Sequence, residues 1–129
     1  MRVITFGTFD VFHVGHLNIL ERAREFGDYL LVGVSTDAMT FDKKQRYPVY
    51  TQQERCAIIQ ALRCVDEVFL EESMDLKRHY LEYHQADVLV MGDDWKGKFD
   101  EFRDICRVEY LPRTPSISTT VVIEKIKLK

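Results

Sequence analysis

Two histidines stand three residues apart in the stretch Gly7-Thr8-Phe9-Asp10-Val11-Phe12-His13-Val14-Gly15-His16. Directly before it lies the apolar run Val3-Ile4-Thr5-Phe6. A strand that turns into a helix here puts His13 and His16 on one face of the first helical turn. Free backbone N–H groups and a partial positive charge gather at such a helix start, which makes it a seat for phosphate. Gly15 lets an anion approach the backbone closely. Two imidazoles can donate to phosphate oxygens and stabilise charge that builds on phosphorus during a displacement. Thr8 adds a hydroxyl donor, and Asp10 can position a cation or a substrate group. The dinucleotide fingerprint G-x-G-x-x-G is absent. A lone histidine here would ordinarily be structural, but two histidines and a glycine after a strand point to function. The competing reading, a metal site from His13, His16 and Asp10, lacks any further ligand cluster.

A second set of donors runs from Arg113 to Thr120, in Arg-Thr-Pro-Ser-Ile-Ser-Thr-Thr. Arg113 can fork onto a phosphate. Ser118, Thr119 and Thr120 combine hydroxyls with free amides where a helix starts. An ordinary N-cap would explain Ser118 alone, but not the arginine and the hydroxyl triple. A third stretch, Met91 to Asp100, carries Asp93, Asp94 and Trp95. The acids could cap the next segment or accept from a base amino group, and the indole offers a flat face. Alone that signal is weak, since acids in loops are usually solvated and a single tryptophan is usually core. Lys43, Lys44 and Arg46 fall in a stretch from Thr40 to Tyr50 without a clear period, which reads as a mobile loop over a site. Arg55 and Arg63 lie eight apart on one predicted helix and are expected to share a face.

These residues need elements to hold them. The chain has 129 residues, 46% of them hydrophobic, which suits one domain over 1–129 with one real core. A net charge of -3 gives no basic excess for nucleic acid. No apolar run approaches the ~20 residues of a membrane span, and none resembles a signal peptide. Cys56, Cys64 and Cys106 lack CxxC spacing and read as reduced, mostly buried thiols in a cytoplasmic protein. Strands are predicted at Val3 to Phe6, Tyr29 to Val34, Val65 to Leu70, Val88 to Met91 and Val108 to Leu111. Ile19, Leu20, Ala23 and Phe26 follow helical spacing, with Gly27 as a candidate cap. Thr51-Gln-Gln-Glu54 fits a capping box and predicts a helix to about Arg63. A further helix is predicted over Leu76 to His84, and Ser118 should cap a last one ending in lysines. Alternating strands and helices imply a Rossmann-like, doubly wound parallel sheet in three layers, α/β/α. Ligands bind such sheets at the carboxyl ends of the strands, where all three motifs fall.

The first motif, with its His-Val-Gly-His core, resembles the H-x-G-H nucleotidylyltransferases and, more narrowly, cytidylyltransferases that use CTP and a phosphoalcohol. The segment Gly92-Asp-Asp-Trp-Lys-Gly-Lys-Phe-Asp100, together with Arg63-Cys-Val-Asp-Glu-Val68, is similar to the bacterial glycerol-3-phosphate cytidylyltransferases over nearly the whole chain. The choline-phosphate enzymes are longer and carry a membrane-binding helix. This resemblance implies His13, His16, Lys44 and Arg113 as the catalytic cations and donors. It implies CTP binding by Thr8, Phe9, Asp10 and Gly15, by Asp94 and Trp95 at the base, and by Thr114, Ser118, Thr119 and Thr120. It assigns the phosphoalcohol to Lys44, Arg55, Arg63 and Lys77. One extra residue in the 40–50 stretch leaves open which of its cations contacts phosphate. Pro115 and Ser116 stand where the family usually has a glycine, and a positive φ at Ser116 would strain it. The implied reaction gives CDP-glycerol and pyrophosphate with Mg²⁺ on the phosphate oxygens, Asp10 being a candidate outer contact, in a homodimer serving teichoic-acid-like or capsular polymers. Three alternatives stay open: another phosphoalcohol such as ethanolamine phosphate or a sugar phosphate, an adenylyltransferase, and a non-catalytic nucleotide-binding module.

Overall fold

Every strand of the computed structural model runs parallel, in the order β3-β2-β1-β4-β5. The structure describes residues 1–115 and 117–129, so the backbone expectation for Ser116 lies outside the described residues. The strands are β1 (Arg2–Gly7), β2 (Tyr29–Ser35), β3 (Glu67–Glu71), β4 (Val88–Gly92) and β5 (Arg107–Leu111). The helices are α1 (Val14–Arg24), α2 (Asp37–Lys44), α3 (Gln52–Gln60), α4 (Lys77–Tyr83) and α5 (Thr119–Leu128). Short 3-10 turns cover Met74–Leu76, Asp93–Trp95 and Asp100–Asp104.

Strand residues alternate between two cores, which is why the runs read as continuously apolar. Val3, Leu30, Val32, Val34, Val88 and Val90 pack with Leu20, Ala23 and Ile59 of α1 and α3 on one face. Ile4, Leu31, Leu89, Met91 and Val108 pack with Leu81, Phe99 and Phe102 on the other. The three-layer α/β sheet expected from the sequence is therefore present.

Three local expectations need correction. The 40–50 stretch is not all loop: Thr40 to Lys44 belong to α2, which starts at an N-cap where Thr36 Oγ1 accepts the Met39 N–H at 3.1 Å. It stops at Gln45, whose φ of 58° supplies the left-handed turn usually left to glycine. Gly27 does not cap α1, which ends at Glu25 in right-handed geometry. Gly27 instead passes so close to the Met1 carbonyl that a side chain would collide with it. Finally, α3 ends at Gln60, so Arg63 lies beyond it and shares no helix face with Arg55.

Candidate active site

The chain order reverses between β1 and β4, and parallel sheets open a crevice at that point. A cavity of about 490 Å³ lies there, and residues at or just beyond all five strand ends line it.

The first wall is the turn from Gly7 to His16. Phe9 and Val11 sit at φ 55° and 47°, in the left-handed region that a β-branched residue almost never adopts. The reversal folds the Phe9 ring back over Gly7, where a Cβ would stand 2.9 Å from the ring. His13 is the N-cap of α1. Its Nδ1 accepts the Gly15 N–H at 3.0 Å, and His16 Nδ1 accepts the His13 N–H at 3.2 Å. This is a capping box built from two histidines, with the rings stacked at 3.8 Å. Gly15 is required, because a Cβ there would lie 2.8 Å from His13 Cε1.

Backbone N–H groups can only donate, so both Nδ1 atoms must be acceptors. Each neutral ring therefore carries its proton on Nε2. Burial pushes His13 below its ordinary pKa. His16 is pushed down to about 3, chiefly by burial and then by its His13 neighbour, with Asp10 opposing. Neutral imidazoles presenting N–H donors are thus fixed at neutral pH. His13 Nε2 is buried with no protein partner among the described residues.

The opposite wall is the 113–120 segment. Ser118 caps α5 by accepting the Val121 N–H at 3.1 Å. Neither α1 nor α5 carries an acid in its first turn, so both helix starts keep their positive ends for an anion. Thr119 donates to the Asp10 carbonyl at 2.9 Å, and Asn18 donates to Thr114 Oγ1 at 2.9 Å, which ties this segment to the first motif. Arg113 meets Asp94 at 3.5 Å across the mouth, both being 60% exposed.

Thr8, Lys44, Lys77, Trp95 and Thr120 also line the cavity, as do Lys43 and Arg46. Burial and the neighbouring Lys43 and Arg46 hold Lys44 below the ordinary lysine range. Lys43 Nζ lies 5.4 Å from the Trp95 ring centre. Two expected contacts are not at the cavity. Arg55 is fully buried and spends its guanidinium on the carbonyls of Thr8, Ser35 and Tyr50 and on the Asp37 carboxylate at 2.6 Å. It clamps the ends of β1 and β2 to the start of α2. Arg63 is exposed outside the lining. Asp10 is engaged by two hydrogen bonds: its carboxylate accepts the N–H groups of Val49 and Tyr50 at 2.7 and 2.9 Å.

Among the described residues no group of three or more His, Cys, Asp or Glu side chains is placed to hold a metal. With its carboxylate committed to the backbone N–H groups of Val49 and Tyr50, Asp10 does not fit a dedicated Mg²⁺ site. No described helix is long and apolar enough to cross a membrane.

Of the cavity floor, Lys77 was expected from the resemblance and Glu71 was not. There Lys77 Nζ bonds to Glu71 Oε2 at 2.5 Å and sits 3.7 Å over the Phe6 ring. Burial pulls Lys77 below its usual range and the Glu71 carboxylate opposes that pull. Glu71 and Lys77 come from an edge strand and the helix after it, a pairing only the folded β3–α4 connection creates.

A parallel sheet with a histidine-capped turn at its switch point is the architecture of a nucleotidyl-transfer site, and the chain belongs to the cytidylyltransferase-like family, whose profile matches residues 4–125. It is 48% identical over 125 residues, 97% of this chain and 96% of the other, to a glycerol-3-phosphate cytidylyltransferase of Bacillus subtilis. A protein of the same name from Staphylococcus aureus is 43% identical over 125 residues, 97% of this chain and 94% of the other. An ethanolamine-phosphate cytidylyltransferase of Mus musculus is 35% identical over 134 residues, covering 99% of this chain and 33% of that one. The fold matches the lipopolysaccharide core biosynthesis protein of Thermoplasma volcanium with a TM-score of 0.77 at 24% identity, over 88% of this chain and 98% of the other.

Proposed function

We propose that this protein transfers the cytidylyl group of CTP to sn-glycerol 3-phosphate. A phosphate oxygen of the acceptor attacks the α-phosphorus of CTP. The bond from that phosphorus to the α,β-bridging oxygen breaks, giving CDP-glycerol and pyrophosphate. The nucleophile is already an anion, so the protein needs no strong base, and the chemistry rests on positioning and on stabilising charge. The observation that carries this reading is the pair of stacked imidazoles held as neutral Nε2–H donors at the start of α1. His13 and His16 donate to the α-phosphoryl oxygens as their charge grows. The start of α5, with Ser118, Thr119 and Thr120, and Arg113 hold the β- and γ-phosphates. Lys43, Lys44 and Arg46 supply further positive charge from the lip. Asp94 and Trp95 face the base. Mg²⁺ bound to the triphosphate as part of the substrate would supply charge neutralisation there, with no described residue of this chain as its dedicated ligand. The full-length likeness to bacterial glycerol-3-phosphate cytidylyltransferases supports glycerol 3-phosphate as acceptor. The product then suits a cytoplasmic route to teichoic-acid-like or capsular polymers, in a homodimer.

Pyrophosphate release tests the reading. CTP with glycerol 3-phosphate should exceed ATP, UTP or GTP with the same acceptor by orders of magnitude in kcat/KM. Comparable values with ATP would move the protein to an adenylyltransferase, and no release with any nucleotide would leave a binding module.

A further inference from the structure

The segment that carries Asp94 and Trp95 leaves β4 with little regular structure of its own. From Asp93 to Asp104 the chain runs through two short 3-10 turns, Asp93–Trp95 and Asp100–Asp104, joined across Gly97 at φ 83°. Turn bonds such as that from the Lys98 N–H to the Trp95 carbonyl, at 2.8 Å, shape the segment but do not fix where it lies. Its far end is tied to α4, where Arg78 meets the Asp104 carboxylate at 3.0 Å and the Glu101 carbonyl at 3.3 Å. Nearer Trp95 the tie comes from β5. The Tyr110 hydroxyl accepts the Phe99 N–H at 2.9 Å and lies 2.9 Å from Asp100 Oδ1. A backbone N–H can only donate, so the phenol proton goes to Asp100. Tyr110 stands beside Met91 in the sheet register and packs on the same core as Met91 and Phe99. Phe99 in turn lies against Trp95, with ring centres 5.3 Å apart and planes at 33°. Trp95 and Phe99 line the cavity, and Tyr110 stands behind them outside the lining.

We propose that Tyr110 is a positioning residue for nucleotide choice, which acts through Phe99 and Asp100 to hold Trp95 and Asp94 where the base meets them. This rests on the proposed cytidylyl transfer and adds to it a residue outside the cavity. Two bonds to consecutive residues stop the segment from sliding along β5 or turning about either one. The Phe99 N–H is partly buried, and a donor deprived of its acceptor there costs more than a bond exchanged with water. A carboxylate on Asp94 rewards the exocyclic amino group of cytosine and gives nothing to the carbonyl that uracil carries at the same position. That distinction needs the acceptor held to within about 0.5 Å of its working place. Stacking on an indole tolerates more, because every base has a flat face. A segment released from Tyr110 therefore keeps its contact with a base but loses the difference between one base and another.

The test uses the full chain, in which Trp95 is the single tryptophan. Acrylamide quenching of its fluorescence reads the segment directly, and titration calorimetry gives the binding of CTP, UTP and inorganic tripolyphosphate without turnover. Tyr110→Phe keeps the ring and removes both bonds. It should raise the KM for CTP by roughly 5- to 30-fold with kcat within about threefold, and narrow the CTP-to-UTP ratio of kcat/KM by a similar factor. Acrylamide should quench Trp95 more strongly in this variant, while tripolyphosphate binds it within about twofold of wild type. Asp100→Asn keeps an acceptor for the phenol and should retain the wild-type ratio, whereas Asp100→Ala should lose part of it. If Tyr110→Phe does not fold, Asp100→Ala decides by the same ratio. An unchanged ratio in the variant, with CTP still the preferred donor, overturns the inference and leaves the function standing. Tripolyphosphate weakened as much as CTP would mean general damage to the cavity and overturns it as well. If the wild type prefers ATP and Tyr110→Phe narrows that preference, the tether stands and CTP falls as donor.

Discussion

His16→Ala and His16→Gln separate two tasks that one ring performs. Its Nδ1 closes the capping box by accepting the His13 N–H at 3.2 Å, and its Nε2 carries the proton that the proposed reaction would use on phosphate. Alanine removes both. Glutamine, a residue at home in the third position of a capping box, restores the acceptor but not the imidazole donor. Losing the cap should cost about 1 kcal/mol, or roughly 3–5 °C in Tm for a domain of this size. Losing a donor aimed at developing charge should cost about 10²–10³ in kcat, roughly 2.7–4 kcal/mol. The assay is pyrophosphate release at saturating CTP and acceptor, with calorimetry on the same samples. Both variants should fall by the full factor in kcat, with the KM for CTP within a few-fold of wild type. Only His16→Ala should lose thermal stability. A His16→Gln enzyme within fivefold of wild-type kcat would refute the donor role, and equal Tm losses in the two variants would refute the capping role.

Acid should expose the same residue through stability. The folded pKa of His16, about 3, lies below its ordinary value near 6.5, so the unfolded chain binds more protons between those limits. The contribution is complete above pH 6.5 and is lost as pH falls toward 3, at up to about 1.4 kcal/mol per pH unit. Between pH 7 and pH 5 wild type should therefore lose up to about 2 kcal/mol more than His16→Gln in urea unfolding, and parallel losses would contradict the buried neutral ring. Asp10→Asn replaces an acceptor of two backbone N–H groups by one that also turns a donor toward them. Trypsin should then cut after Lys43, Lys44 or Arg46 faster than in wild type, and saturating CDP-glycerol should slow the wild-type cleavage. Identical rates in the variant, or no protection by the product, would count against the loop being held and closed in this way.

Most of the scaffold was legible because its signals are local. Continuous apolar runs marked strands buried on both faces, and Thr51 with Glu54 marked the start of α3, where the box forms as expected. α2 escaped because its apolar face is only Met39 and part of Phe41, and because Gln45 ends it without a glycine or proline. Gly27 misled for the opposite reason: a glycine after a helical pattern looks like a cap, but here it serves the approach of the chain start. That the segments 7–16 and 113–120 belong to one site was readable from residue type and spacing, and both line the cavity. The burial of Arg55 was not readable, because nothing in a helical repeat distinguishes an arginine facing a site from one buried beneath it. On the cavity floor Lys77 was expected from the resemblance, but its partner Glu71 was not, because only the folded β3–α4 connection brings the two together.

That packing also accounts for the aspartate of the first motif. Asp10 stands between Phe9 and Val11, the two residues forced into left-handed backbone. Strain of this kind, about 1–3 kcal/mol for each residue, persists only where surrounding contacts leave no alternative. Three of those contacts are visible: Arg55 holds the Thr8 carbonyl, Thr119 holds the Asp10 carbonyl, and the Asp10 carboxylate holds the backbone at Val49 and Tyr50. The Tyr50 carbonyl returns to Arg55. The end of the cationic lip, the start of α5 and the histidine turn are therefore one hydrogen-bonded block. A displacement at Val49 or Tyr50 cannot occur without moving Asp10 or breaking its bonds. Since Asp10 is three residues from His13, the position of the lip and the aim of the imidazoles are mechanically linked. In the proposed reaction, which needs no base, that linkage is the part left to the motif aspartate.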